Sequence, residues 1–496
     1  MSRVIESRVV VDSRERPLRI MGVASLYLPW LLAEAAASYS MTSWIVAWLG
    51  SGWIFLVVWS GAAGRLTRGV SWNRILLRPI YLVHAIFALY GFVSSIFYVL
   101  DLNGIAPGAA IAEAAGEDHF TLVAQAQRYY VLAHASLAAG LLIAYRSGRR
   151  ARWRFRLGGH PVEFLLVLAA VALLGSYGLG FVPPLQQFSE KLAQLAMVAG
   201  ATSLGPALQR GGGRWLPISL AVLGVLFLYA LASGWKSESL VLLMLASVAL
   251  APKYPKAALS LFGCGVLAGI LVLPIVTQTI RETNWKGRTD QWTALKLAAA
   301  DLQEKSAEEV TETSWRFLTG RASEVQMFTK YIDGVESTGS RPGLTILKQS
   351  AMALIPRALW PGKPNMELLV SERVYRYGVV GQAGTVSAKP HPTADGFLVA
   401  GGLGVALSSL LLGLIASWAS SWSESYLGGY FLGGIFFNGL FGILWTGNCF
   451  EFMANAIVWS MILIGIIFIG CQMANFLTPV PRATGRSVRV RPAATP

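Results

Sequence analysis

An all-α polytopic membrane protein, with about twelve transmembrane helices and one long outer-face loop domain between spans nine and ten, is the fold that three observations predict. Of the 496 residues, 54% are hydrophobic and 14% charged. The apolar residues arrive in runs of about eighteen or more, long enough to cross a bilayer. Short basic segments separate those runs, and nothing shows the roughly ten-residue alternation of a membrane barrel. The formal charge of +15 lies mostly beside the spans, so it reads as membrane topology and no nucleic acid partner is expected. Of the three cysteines, Cys264 and Cys471 fall inside apolar runs, which leaves no disulfide framework for the polar segment.

The N-terminal segment, 1–19, carries Arg3, Arg8, Arg14, Arg16 and Arg19 and is placed in the cytoplasm by the positive-inside rule. Spans are expected near 20–37, 41–60, 79–100, 129–145, 162–182, 192–208, 215–233, 239–252 and 257–280. Ala33-Glu34-Ala35 faintly resembles a cleavage site, but an uncleaved first span is the reading adopted. Connectors with Arg65, Arg68, Arg74 and Arg78, with Arg146 to Arg156, with Arg210 and Arg214, and with Lys253 and Lys256 mark the inner side. The loop with Asp101, Glu113, Glu117 and Asp118 faces out, and the short outer loops hold only Arg128, Lys191 and Lys236 as cations. Three further spans, within 396–473, lead to a basic cytoplasmic tail, 474–496, with Arg482, Arg486, Arg489 and Arg491.

The outer segment, 281–395, is the only long stretch that is neither apolar nor a short connector. Leu295, Ala298, Ala299 and Leu302 at helical spacing predict an amphipathic helix over 291–311 on the membrane surface. Further helices are expected over 314–332 and 344–359, the latter apolar enough to dip into the interface. A loop rich in Gly, Ser and Pro follows over 378–394. At the centre stands Ile355-Pro-Arg-Ala-Leu-Trp-Pro-Gly-Lys-Pro364. Its prolines and glycine stiffen the chain, so that Arg357 and Lys363 project with Trp360 between them, as a phosphate under a sugar requires. Contact with lipid headgroups is the plainer alternative.

Lys236, in Ser233-Gly-Trp-Lys-Ser-Glu-Ser239, is a lone outer cation in a turn of small residues, suited to a phosphate. Arg281 follows a span directly and either binds phosphate or snorkels to headgroups. Arg321 and Glu324 are three apart and are expected to share a helical face. His391 and Asp395, in Lys389-Pro-His-Pro-Thr-Ala-Asp-Gly396, suit a base and its orienting carboxylate. Glu324 competes for that role, and a plain structural turn is the alternative. Glu34, His84 and His134 are ionisable groups inside spans. Asn438, Asn448 and Glu451 are candidate sugar contacts near the outer ends of the last two spans. No metal-ligand spacing, Walker-type loop or Asp-x-Asp pair occurs, so no metal or cofactor is expected.

These residues carry a resemblance. Ile355 to Pro364, the Arg321 helix with Tyr331-Ile-Asp333, Ser233-Gly-Trp-Lys236 and Gly401-Gly-Leu-Gly404 make the chain similar to the Wzy-type O-antigen and oligosaccharide repeat-unit polymerases of bacterial envelopes, over roughly 230–415. The resemblance implies a GT-C-like, inverting, metal-independent glycosyltransferase of the inner membrane, with its active site facing the periplasm. It would join polyprenyl-diphosphate-linked oligosaccharides into O-antigen, capsule or exopolysaccharide, beside a flippase and a chain-length regulator. It implies diphosphate contacts at Lys236, Arg321, Arg357 and Lys363, to which the chain's own pattern adds Arg281. Trp360, Trp235, Asn448 and Glu451 are the expected sugar contacts; Asp395-Gly-Phe-Leu-Val-Ala-Gly401 departs from the family's polar and aromatic run. An O-antigen ligase, a lipid-linked oligosaccharide flippase or exporter, and a structural scaffold are the competing readings.

Overall fold

The computed structural model describes residues 20–61, 78–105, 117–144, 154–182, 185–209, 213–234, 236–284, 287–357, 359–380 and 388–480. The described chain is almost entirely helical. Six helices are long and apolar enough to cross a membrane: Ser40–Trp59, Ile80–Leu102, Pro161–Gly180, Trp215–Ala232, Pro392–Tyr426 and Phe450–Met473. A seventh crossing results if Pro255–Leu271 and Leu273–Thr283, bent by 49°, form one span. The other expected spans fall on shorter apolar helices (Ile20–Ala35, Glu238–Leu250 and Tyr430–Leu440) or on two long, more polar ones.

Those two are α1, Glu117–Ala144, and α2, Gln186–Gln209. Both turn polar groups inward, among them Gln127, Arg128 and His134 in α1 and Lys191, Thr202 and Ser203 in α2, all buried. The outward faces of the spans stay apolar and exposed, as at Val171, Leu174, Leu259, Leu267, Ile466 and Ile469. That polarity, apolar outside and hydrogen-bonded within, suits lipid as the solvent.

Helix α1 crosses α3, Pro392–Tyr426, at a pair of glycines. A Cβ on Gly140 would lie 2.3 Å from the Leu410 carbonyl oxygen, and one on Gly413 would lie 2.3 Å from that of Leu137. Only glycine lets the two backbones touch, the small-residue packing of membrane helices. The top of α3 is not straight. Ala400 and Gly401 leave helical geometry, Gly401 at φ 60°, a conformation that glycine tolerates and other residues resist. Residues 392–399 double back along 402–408, so that a Cβ on Gly404 would fall 2.0 Å from the Gly396 carbonyl oxygen and one on Gly396 would fall 2.4 Å from Ser408 Oγ. In a straight helix residues 396 and 408 would be about 18 Å apart. The Gly343 amide donates to the Leu398 carbonyl at 3.2 Å and so satisfies an end of the short helix.

Pairs between distant elements sort the helix ends into two sets. At one end Arg78 meets Glu424 at 3.1 Å and Lys253 Nζ donates to the Leu208 carbonyl. The strand β1, Arg154–Leu157, pairs antiparallel with β2, Leu477–Val480. At the other end Arg128 meets Glu34 at 3.2 Å, Ser40 Oγ lies 2.8 Å from Thr121 Oγ1, and Trp315 Nε1 donates to Asp101 at 2.7 Å. Each of these six pairs joins residues that the charge pattern assigns to the same side.

The outer segment differs from its sequence pattern in three places. The amphipathic helix is Gln291–Glu304, and it buries Ala294 and Ala298 against Val276 and Ile280 of Leu273–Thr283. Its apolar stripe therefore packs on protein as well as facing out. The helix expected over 314–332 breaks: Ala307–Phe317, begun by a Ser306–Glu309 capping box, runs into a π turn, Leu318–Ala322, and a new helix, α4, Glu324–Thr338, begins after Ser323. Ser323 is extended, at φ −85° and ψ 102°, so Arg321 and Glu324 do not share one helical face. The helix expected over 344–359 ends at Ala353, because Pro356 cannot continue it. An unforeseen helix follows, α5, Met366–Arg376, capped by the Asn365 side chain on the Glu367 amide.

Candidate functional site

The site forms where the Ile80–Leu102 span loosens. A π turn at Leu89–Val93 shifts the carbonyl ladder, and Trp48 Nε1 and Gln127 Nε2 donate to the Phe92 and Gly91 oxygens, each at 2.7 Å. Such turns are frequent at functional positions. His391, at the start of the doubled-back helix of α3, packs its ring against Phe87 and edge-on to Tyr90, with centroids 6.0 and 5.5 Å apart. Its Nδ1 faces Thr393 Oγ1 at 3.5 Å. Its Nε2 lies where Gly447, at φ 74°, leaves room, since a Cβ there would approach to 2.5 Å. Burial lowers the His391 pKa to about 4, so the ring is neutral at neutral pH and open to accepting a proton.

Glu324 opens α4, half-buried, within electrostatic reach of Tyr90, Tyr130 and Tyr331. Among the described residues the buried hydroxyls of Tyr130 and Tyr331 have no hydrogen-bond partner. The tyrosines thus join Glu324 to the His391 neighbourhood on one side and to Asp395 on the other.

Asp395 and Glu451 share a buried cation, Arg373 of α5. Arg373 Nη1 and Nη2 donate to Glu451 Oε1 and Oε2 at 2.9 and 3.0 Å, and Nη2 lies 3.2 Å from Asp395 Oδ1. Burial opposes the Arg373 charge, yet Asp395 and Glu451 outweigh it and raise its pKa. The other Asp395 oxygen accepts from the Phe450 amide at 2.9 Å, at the N-terminus of α6, Phe450–Met473, where a negative charge is favoured. The cluster locks the outer segment to two spans. In this structure Asp395 and Glu451 therefore act as braces, and Asn448 turns its Oδ1 onto the Cys449 amide at 2.8 Å.

The expected phosphate contacts divide. The Lys363 ammonium donates to the Ala353 and Ile355 carbonyls at 2.9 and 2.8 Å, closing the end of the helix Leu344–Ala353; burial and the neighbouring Arg357 lower its pKa. Arg357 is exposed, with Nη2 3.5 Å from the Pro364 oxygen, and Trp360 is half-buried beside it. Arg281 Nε donates to the Gly234 carbonyl at 3.3 Å, which brings it to the turn that leads into Lys236. Trp235 and the side chains of Lys236 and Arg321 lie outside the described residues. A cavity lined by Leu368, Ser371, Glu372, Tyr375 and Arg376 opens on the face of α5 away from Arg373.

Of the ionisable groups within spans, Glu34 pairs with Arg128 and accepts from Trp30 Nε1. His84 and His134 place Nε2 against Nε2 at 2.9 Å. Arg373, Tyr90, Tyr130 and Gly447 were not anticipated from the sequence, and Tyr331 entered only through the resemblance. One signal pointed to the first: Glu451 within a span requires a buried counter-cation. No metal-binding group of three or more His, Cys, Asp or Glu occurs among the described residues.

No curated protein and no solved structure matches the chain. One family model does, over residues 28–479, and its description is a domain of unknown function, DUF8712. That match takes in the helical bundle and the whole outer segment, so the chain belongs to the DUF8712 family.

Proposed function

We propose that this protein is a membrane glycosyltransferase that polymerises polyprenyl-diphosphate-linked oligosaccharide repeat units at the outer face of the bacterial inner membrane. The observation that carries the reading is the neutral His391, held at the loosened turn of a span beside Tyr90 by the same chain segment that bears the outer cations. A hydroxyl of one lipid-linked unit attacks the anomeric carbon of another from the face opposite the leaving group. The bond from that carbon to the diphosphate oxygen breaks, its electron pair leaves on polyprenyl diphosphate, and the configuration inverts. The hydroxyl proton passes to His391 Nε2 and then to water. Arg281, Lys236 and Arg357 offset the charge that grows on the diphosphate. We read the arrangement as twelve-pass and GT-C-like, with both termini inside.

The test uses the purified protein with lipid-linked repeat units, separating products by size. A ladder at repeat-unit intervals is expected from wild type, with a loss of about 10²–10⁴-fold for His391→Ala, the contribution of a positioned base. Single transfer to a lipid A core acceptor would favour a ligase, and translocation of the lipid without bond formation would favour a flippase.

A further inference from the structure

Helix α5 carries different chemistry on its two faces. Inward it turns Met366, Val370, Arg373 and Val374, all buried, with Arg373 fixed on Glu451 and Asp395. Outward it turns Leu368, Ser371, Glu372, Tyr375 and Arg376, which recur every three and four residues and so fall on one stripe. Those side chains line a cavity of about 580 Å³, within the roughly 300–1,000 Å³ of small-molecule sites. The helix is held at both ends. Asn365 caps its first turn, and Lys389 pairs with Glu367 at 3.1 Å. Past the last turn, the Tyr377 hydroxyl donates to the Ser340 carbonyl at 3.1 Å. The cavity wall is therefore in place before any ligand arrives, which lowers the cost of binding.

The charges on that wall are not spent on each other. Glu372 is exposed and, among the described residues, takes no hydrogen bond and no ion pair. Arg376, four residues later, is the ordinary helical partner for it. Its guanidinium turns instead to the Ser340 hydroxyl, through Nη2 at 3.2 Å, and lies 6.0 Å from the centre of the Tyr377 ring. That bond leaves the other guanidinium N–H groups to a ligand. The cavity thus offers a charged acceptor, a charged donor, the Ser371 hydroxyl, and the ring of Tyr375 beside Leu368. Three classes of ligand fit this set poorly. A phosphate would meet the Glu372 carboxylate, and a metal cation the Arg376 guanidinium, each at a like charge. A lipid tail would cover both charges without giving either a partner. A saccharide fits: its hydroxyls both donate and accept, and the C–H face of its ring packs on an aromatic side chain whose own polar tip stays wet.

We infer that the outward face of α5 is a saccharide-binding site, with Tyr375 and Leu368 under the sugar ring and Glu372, Arg376 and Ser371 on its hydroxyls. Arg373, on the opposite face of the same helix, meets Asp395, whose amide donates to the His391 carbonyl at 3.1 Å. The cavity is therefore about one helix thickness, 10–12 Å, from the cluster next to His391. A glycan that runs from the His391 neighbourhood over α5 is held at a second point. The choice of glycan rests on the proposed function, which makes it the repeat unit. The cavity itself takes a saccharide whichever reaction the protein performs, and it uses none of the cations assigned above to the diphosphate.

The experiment measures equilibrium binding of oligosaccharides, released from the lipid-linked repeat unit by mild acid, to the purified full-length protein in lipid nanodiscs free of sugar detergents. Wild type should bind them. Glu372→Gln removes a charge that has no partner among the described residues, so it should fold as wild type does and bind about tenfold more weakly. Tyr375→Leu loses the aromatic face, for about a fivefold loss. If that variant does not fold, Glu372→Gln decides the matter. Undiminished binding in both variants, no binding to wild type, or displacement of the oligosaccharide by inorganic pyrophosphate overturns the inference. A polymerisation assay that yields no ladder while Glu372-dependent binding persists removes the proposed function and leaves the site. A ladder beside undiminished binding in both variants removes the site and leaves the proposed function.

Discussion

Two buried cations of this protein are treated in opposite ways. Arg373 pairs with both oxygens of Glu451 and with Asp395, carboxylates carried by α6 and α3, while its Nε and Asp395 Oδ1 take no hydrogen bond among the described residues. Lys191 has its exposed neighbour on α2, Glu190, within electrostatic reach, and among the described residues no ion pair ties it to another helix. Low dielectric raises the stakes for both, since it strengthens a completed network and penalises an incomplete one. The Arg373 cluster braces the fold.

The largest effect that separates the two should come from Arg373→Met. It leaves two carboxylates buried without their cation, which costs about 3–5 kcal/mol when a buried pair is broken from one side. Denaturant titration of the purified variant measures it, and Arg373→Lys should recover only part, because an ammonium cannot make the bidentate contact. A loss below about 1 kcal/mol would mean that water already reaches Glu451 and that the cluster is no brace.

The contrast was only partly legible in the sequence. The apolar runs could be read because they depend on local composition, and six of them fall on helices long and apolar enough to cross a membrane. Partners distant in the chain could not. Glu451 and Arg373 are 78 residues apart, and α5 lies between two stretches that read as loop. The doubled-back turn at Gly401 stayed hidden because a re-entrant helix has the composition of a span. Lys191 looked like one outer-loop cation among three, since burial is a property of packing. Of the expected site, His391 packs on Tyr90, which lies within electrostatic reach of Glu324, whereas Lys363 spends its donors on carbonyls that the sequence could not aim at it.

His391 gives the next largest effect, and it sharpens the comparison because this group is buried neutral. Its folded pKa is depressed to about 4, against about 6.5 when unfolded. Between those values the unfolded chain binds a proton that the native chain refuses. Stability is therefore full above pH 6.5, falls as the pH drops to 4, and loses nothing more from this group below that. The total is about 3 kcal/mol. Subtracting the pH profile of His391→Asn from that of wild type isolates this ring from the other histidines. A flat difference between pH 6.5 and 4 would show that His391 is as hydrated in the native state as in the unfolded one.

The smallest effect concerns a third lysine, and it asks on which side of the contrast that residue falls. Lys363 is at least as buried as Lys191, but its ammonium closes the helix Leu344–Ala353 through the Ala353 and Ile355 carbonyls. If that is its role, Lys363→Met loosens the helix end by about 1–2 kcal/mol, visible as faster amide exchange over 350–365. Arg357, on the exposed side of the same loop, should then govern substrate affinity by itself. The opposite result, a tenfold loss of affinity for the lipid-linked unit with exchange unchanged, would move Lys363 from the braces to the ligand contacts. The stiff Pro-Arg-x-x-Trp-Pro-x-Lys-Pro turn would then present two cations to the phosphate, as its sequence first suggests.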